Sequence, residues 1–386
     1  MIGRENPFLK VIKQIDPILF GATSFLTLLS ILTIFGAMDN FGRSKLVMQV
    51  AMAFMGTVMM LVIANVDYKF FVDRFIMLLF VASAVILVLT LIIGISGEST
   101  TTANKSWLRL WPGGPMIQPS EFVKIALVCT LAKHLEVVGA DINKPKKLIG
   151  VLAHVGVITA LILVSGDLGV ALVYIGFIAV MLFCAGLSLW YFLGAIVLVG
   201  ISVPFLWDFL APYQQDRIIY GFSPELDPFG YGMQPLMSKE AIARGGLFGE
   251  GLFGGEVYEE LAASHTDFIF STVCEKFGFF GGLLVIIALC VIVVRVIIIG
   301  IRCTDITGRL ICMGTAAIFI LQTLENIGMC LAVIPVVGIA LPFMTAGGSS
   351  MLALNMLVGL IHSVRAKDKK VGRFGVKKRV TYACSP

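Results

Sequence analysis

The chain reads as a succession of long apolar stretches separated by short segments rich in charge, Pro and Gly. Each stretch is close to the ~20 residues a helix needs to cross a bilayer. Ten such runs can be drawn, at about 17–38, 47–66, 75–95, 119–135, 148–165, 167–185, 187–211, 266–300, 308–333 and 340–364. Only Ser165-Gly166-Asp167 divides the fifth run from the sixth, and only Ala185-Gly186-Leu187-Ser188 divides the sixth from the seventh. Each junction is either a tight reversal or a break in one longer helix. The longest polar segment, about 212–265, separates the seventh and eighth runs. The pattern predicts an all-α polytopic membrane protein: a single ten-helix domain over 17–364, preceded by a tail at 1–16 and followed by a basic tail at 365–386.

Composition sharpens this picture. Of 386 residues, 58% are hydrophobic and 14% charged, and the mean hydropathy is +0.96. A soluble globular chain carries about 25% charged residues. The stretch from Met1 to Asp16 is polar and mixed in charge, and the first apolar run is long enough to stay in the membrane, so no cleavable signal is expected. Lys and Arg set the orientation. With a cytoplasmic N-terminus, the inner segments and the inner ends of the runs hold 20 of the 29 basic residues and the outer segments seven, leaving Lys124 and Lys276 deeper within runs. Both termini are then cytoplasmic. The 212–265 segment becomes an outer loop with eight acids against three basic residues. Arg365 to Arg379 holds eight basic residues and one acid, a tail suited to anionic membrane lipid and not to nucleic acid.

Several chemistries have no signature. The eight cysteines are scattered, mostly inside apolar runs, with no metal-like spacing. No Walker sequence, HExxH or GxSxG is present. No cofactor is identified, and a divalent cation stays open. Between the third and fourth runs, Trp107, Leu108, Leu110 and Trp111 alternate with Lys105 and Arg109, as in a segment at the membrane interface.

Ionisable groups inside a bilayer are costly and are kept with a partner or for a function. Asp267, in Ser264-His265-Thr266-Asp267-Phe268, is the last polar group before the eighth run. A partly desolvated carboxylate there gains proton affinity and can act as a general base. Equally, Thr266 and Asp267 are ordinary residues for capping a helix start. Gln118-Pro119-Ser120-Glu121 opens the fourth run, where Pro and an acid suit a first turn, but Lys124 lies a turn deeper and needs an anionic partner: Glu121, Asp167 or Asp267. Asp167 is another candidate cap. Glu275 with Lys276, and Glu325 with Asn326, are either buried structural pairs or walls of a polar cavity opening outward. Arg217 and Arg244, beside the glycines at 245–251, are candidate anion contacts on the outer loop.

These residues, in this order, resemble the SEDS proteins, whose branches include RodA, FtsW and SpoVE. The matching residues are Trp107-Leu108; Gln118-Pro119-Ser120-Glu121 with Lys124; Asp167-Leu168-Gly169; Arg217-Ile218; Asp227-Pro228; Gly245-Gly246-Leu247; His265-Thr266-Asp267-Phe268 with Glu275; Asn326-Ile327-Gly328-Met329; and Pro335 through Ser350. The resemblance implies a peptidoglycan glycosyltransferase that polymerises lipid II on the outer face of the bacterial cytoplasmic membrane and releases undecaprenyl pyrophosphate. It further implies a class B penicillin-binding protein, a transpeptidase, as partner. Asp267 matches the catalytic carboxylate. Gln118, Ser120, Glu121, Lys124, Asp167, Arg217, Arg244, His265, Thr266 and Glu275 become candidate substrate or cavity residues. Asp67-Tyr68 leans toward the RodA branch. Ser165-Gly166, Ala243-Arg244, Ser264 and Thr345-Ala346 depart from the family pattern. A lipid-linked precursor flippase or other transporter is the rival reading from hydropathy alone.

Overall fold

The computed structural model describes residues 14–96, 105–109, 111, 114, 116–208, 210 and 212–368. The basic tail beyond 368 and most of the N-terminal tail lie outside the described residues. Among the described residues the chain is mostly helical, and each of the ten apolar runs overlaps a helix. In order these are α1 (Pro17–Gly36), the short α2 (Met38–Phe41), α3 (Arg43–Asn65), α4 (Tyr68–Ile93), α5 (Pro119–Val138), α6 (Pro145–Val164), α7 (Leu168–Cys184) and α8 (Leu189–Trp207). They continue with α9 (Pro212–Phe222), α10 (Met233–Arg244), α11 (Val257–Glu260), α12 (Ile269–Arg302), α13 (Ile306–Cys330) and α14 (Gly348–Lys367). Six of them, α1, α3, α4, α6, α12 and α13, are long and apolar enough by themselves to cross a membrane.

Helix starts follow from local chemistry. Proline occupies the first turn of α1, α5 and α6, where its missing N–H costs nothing. Asp16, Asp67, Asp167 and Asp305 cap α1, α4, α7 and α13 by accepting from the backbone N–H of Leu19, Lys69, Val170 and Gly308. Both uncertain junctions are reversals: Gly166 (φ 81°) and Gly186 (φ 90°) take the left-handed conformation that ends α6 and α7. α6 packs back against α7.

Three boundaries differ from the hydropathy reading. α4 begins at Tyr68 instead of 75, because its charged first turns are paired: Lys69 with Asp305 at 2.7 Å and Asp73 with Lys133 at 2.7 Å. The last helix begins at Gly348 instead of 340, since Pro335, Gly338 and Pro342 hold the preceding residues in an irregular segment. α12 is two helical pieces broken at Gly278 (φ 68°, ψ −165°), where an added Cβ would collide with Leu247 and Gly249. The 212–265 loop carries α9, α10 and α11. Trp107 to Ile117 contributes a two-residue hairpin, Leu108 opposite Ile117 and Arg109 opposite Met116.

The core lies where α12, α13, α5 and α7 pack together, with α3 against α14 and α1 against α12 on its flanks. α8 stands at the edge and exposes apolar side chains on all sides, Trp190 being 80% exposed.

Candidate active site

The site forms where four helix starts lie together: α5, α7, α12 and α14, joined by the 335–347 segment. Backbone hydrogen bonds fix the approach to α12. Ala346 N–H donates to the His265 carbonyl at 3.0 Å, Thr345 Oγ1 to the Thr266 carbonyl at 3.3 Å and Thr272 Oγ1 to the Ser264 carbonyl at 2.9 Å. Asn326, buried on α13, donates through Nδ2 to the carbonyls of both Asp267 and Ile339, each at 2.7 Å. One side-chain amide thus staples the Asp267 peptide to the irregular segment. Buried carbonyls satisfied in this way hold a fixed position.

With its backbone held, the Asp267 side chain is left for other work. The N-cap position of α12 is Phe268, with no side-chain cap bond, and Thr266 Oγ1 turns back to the Ala263 carbonyl at 3.2 Å. Neither Thr266 nor Asp267 fills the capping role the sequence allows. The carboxylate faces Gly338, where an added Cβ would lie 3.3 Å from Oδ2. Some of the Asp267 surface is exposed, yet its carboxyl is surrounded by protein. Burial, and then the nearby charge of Asp167, push its proton affinity up to about 6.

Asp167 caps α7 through Val170 N–H at 3.1 Å and accepts from Gln118 Nε2 at 3.1 Å. Its burial raises its own proton affinity. Gln118 N–H donates to Ser349 Oγ at 3.0 Å, tying α5 to α14. Lys124 resolves the question of its partner: Nζ bonds Glu121 Oε1 at 2.8 Å, with both side chains almost wholly buried. Glu121 Oε2 and Ser120 Oγ have no partner, while Tyr174 donates its hydroxyl to the Ser120 carbonyl at 2.6 Å. Glu325 Oε2 is likewise buried without a partner.

Other candidates lie elsewhere. Glu275, wholly buried, accepts the backbone N–H groups of Glu256, Val257 and Tyr258, each at 2.9 Å. It pins the 212–265 loop to α12, with both carboxylate oxygens occupied by loop amides. Lys276 beside it donates to the carbonyls of Gly36, Leu252 and Gly254 at 3.2, 3.1 and 3.0 Å and lies over the Tyr258 ring. Arg244 is exposed and pairs with Glu240 at 3.2 Å. The His265 ring packs against Phe41 at 5.1 Å. Arg217 lies on α9, with its side chain outside the described residues. Tyr174 is the neighbour that sequence reasoning passed over, while Gly338 and Ser349 lie in the 335–350 stretch that it matched to the family without naming them as site residues. The Tyr174 signal is a lone hydroxyl in an apolar run. Among the described residues no three His, Cys, Asp or Glu side chains converge as metal ligands would.

Comparison with known proteins places this arrangement. Residues 14–370 match the family model of the FtsW, RodA and SpoVE cell cycle proteins. Stage V sporulation protein E of Bacillus subtilis is 35% identical over 332 residues, 84% of this chain and 87% of that one. The peptidoglycan glycosyltransferase MrdB of Escherichia coli K12 is 32% identical over 83% of this chain and 85% of its own. Among solved structures, a chain of a peptidoglycan synthase complex that coordinates polymerization and crosslinking superposes with a TM-score of 0.78 at 26% identity, covering 90% of this chain and 97% of that chain. The Thermus thermophilus rod shape determining protein RodA shares the fold, with a TM-score of 0.67 at 22% identity over 90% of this chain and 96% of its own. The match across almost the whole chain, on a shared fold, makes this protein a member of the FtsW, RodA and SpoVE family, the SEDS proteins.

Proposed function

We propose that this chain polymerises lipid II into glycan strands on the outer face of the bacterial cytoplasmic membrane, with Asp267 as the general base. It is a multi-pass membrane protein and a peptidoglycan glycosyltransferase of its family. The ten long helices are ten spans with both termini inside, so the starts of α5, α7, α12 and α14 open outward together. In the reaction, the acceptor sugar's hydroxyl oxygen attacks the donor's anomeric carbon. The bond from that carbon to the pyrophosphate oxygen breaks, undecaprenyl pyrophosphate leaves, and Asp267 takes the hydroxyl proton. Lys124, held by a single hydrogen bond to Glu121, is the buried cation that receives the developing pyrophosphate charge. Arg244 and Arg217 are outer-loop contacts for the incoming anion.

The observation that carries this reading is a carboxylate at a helix start that caps nothing, with its backbone stapled and its proton affinity raised. A base is worth about 10²- to 10⁴-fold in rate. The test is glycan polymerisation from lipid II by purified protein, with and without its transpeptidase, comparing wild type with Asp267→Ala and Asp267→Asn. Both variants should stay folded and lose polymer; normal polymerisation by either removes Asp267 from the chemistry. The partner is a membrane-anchored transpeptidase, a class B penicillin-binding protein, which fits the crosslinking coordinated in the similar synthase complex. A transporter needs access from both faces, whereas these polar groups gather where four helices begin.

A further inference from the structure

Beside Asp167 lies a cavity of about 10 Å³ walled by α4, α5, the 106 loop and the α6–α7 turn. That is at the lower edge of the ~10–15 Å³ one water needs. The polar residues that line it carry oxygen side chains: the Asp167 carboxylate and the hydroxyls of Thr90, Ser106, Ser120 and Ser165. Two of those hydroxyls already donate elsewhere, Thr90 Oγ1 to the Ile86 carbonyl and Ser165 Oγ to the Ile162 carbonyl, each at 2.7 Å. They can offer the cavity only lone pairs. Asp167 accepts one hydrogen bond on each oxygen, from Val170 N–H and Gln118 Nε2, and keeps further lone pairs. Ser120, 6% exposed, has an Oγ with no partner at all.

We infer that this oxygen-lined cavity binds a bare sodium-sized monovalent cation, with Asp167 and Ser120 as its principal ligands. A buried carboxylate beside two hydroxyls that already donate elsewhere favours a guest that brings positive charge. Charge bookkeeping sets the valence: Glu121 and Lys124, which both act on Asp167, neutralise each other at 2.8 Å, leaving Asp167 as the one net negative charge at the cavity. Size sets the rest. There is no room for an ion with its hydration shell, which disfavours magnesium because it dehydrates reluctantly, and calcium takes six to eight oxygens and more carboxylate charge. A cation here joins α4, α5 and the start of α7 at one point. It therefore holds the wall that carries Gln118 and Asp167.

The test reads thermal unfolding of the detergent-solubilised full-length protein, titrated with sodium chloride against choline chloride at constant ionic strength. Magnesium and calcium are run in parallel. Sodium at about tenfold its dissociation constant should raise the wild-type unfolding temperature by roughly 2–5 °C over choline. Asp167→Asn should abolish the difference and Ser120→Ala should shift its midpoint to higher sodium by about tenfold or more. If Asp167→Asn does not fold, Thr90→Val, which exchanges the hydroxyl for a methyl, carries the test: it should move the sodium midpoint upward, and an unmoved midpoint in both Thr90→Val and Ser120→Ala overturns the inference. Equal curves in sodium and choline mean the cavity holds water alone and overturn the inference. So does stabilisation by divalent ions only, or a sodium effect that survives Asp167→Asn. Because the readout is unfolding, its failure leaves glycosyl transfer untouched.

Discussion

Gly338 offers the most direct test of how Asp267 is held. Its φ of 70° lies in the left-handed region, and a Cβ there would sit 3.3 Å from Asp267 Oδ2. Gly338→Ala therefore combines two perturbations. A non-glycine residue in that conformation costs about 1–2 kcal/mol. The contact is tighter than ordinary van der Waals separation, so the carboxylate must move by a few tenths of an ångström. Because Asn326 fixes the Asp267 carbonyl, the side chain cannot follow by shifting its backbone. Displacements of ~1 Å cost up to 10²-fold in rate, so the smaller one here should cost about 10-fold. The assay pairs polymer formation from lipid II with thermal unfolding. Gly150→Ala, on α6 with open space around the added methyl, is the control and should be neutral or slightly stabilising. If Gly338→Ala polymerises at the wild-type rate, the turn does not position the base.

Two further outcomes follow from charge. A base with its proton affinity at about 6 works only when ionised, so polymerisation should fall about tenfold per pH unit below 6, and Asp167→Asn should move that limb to lower pH. A limb near 4, the ordinary carboxylate value, would contradict the desolvation account. At the other end of the bundle, Asp16 is wholly buried and accepts two hydrogen bonds from Arg295, at 3.0 and 2.7 Å, with Arg365 3.3 Å away. Burial works to raise its proton affinity, but the Arg295 hydrogen bonds, the Leu19 amide and both guanidinium charges outweigh it and hold the group below the usual carboxylate range. Its stabilisation is present above about pH 4 and fades as pH falls through the lowered value. Asp16→Ala should cost about 3–5 kcal/mol in unfolding measurements at neutral pH, since it leaves two buried guanidinium groups facing each other.

Much of the fold was legible because hydropathy, prolines and capping aspartates are local signals. Pro119, Gly166 and Asp305 each declare a helix boundary within a few residues of themselves. Asp267 stood out for the same reason, as the last polar group before an apolar run. Its surroundings were not legible. The Asn326 staple joins residues 59 apart, and the Gln118–Ser349 bond joins residues 231 apart. The polarity of Glu275 signalled importance but not kind: its three acceptor bonds go to loop amides that no periodicity identifies. The start of α14 was misplaced because Ile339 to Met344 is apolar enough for a span, while Pro335, Gly338 and Pro342 set its conformation.

Two neighbouring acid and lysine pairs show how function separates from structure in a low-dielectric interior. Glu275 and Lys276 are saturated, with three amides on the acid and three carbonyls plus an aromatic face on the lysine. Glu121 and Lys124 are just as buried but share one hydrogen bond, and Glu121 Oε2 has no partner. Unused hydrogen-bonding capacity in a buried pair is costly unless something binds there. Lys276→Met should therefore act on folding, costing about 2–4 kcal/mol because three buried carbonyls lose their donor. The double variant Glu121→Gln, Lys124→Met removes both charges together, which for buried pairs is often neutral for stability. Its effect should fall on catalysis: the loss of one charge-assisted contact to pyrophosphate, about 1.5–3 kcal/mol, lowers kcat/KM about 10- to 100-fold. If the double variant unfolds while Lys276→Met stays stable and inactive, the two pairs have exchanged roles, and Lys124 is not the cation that receives the leaving group.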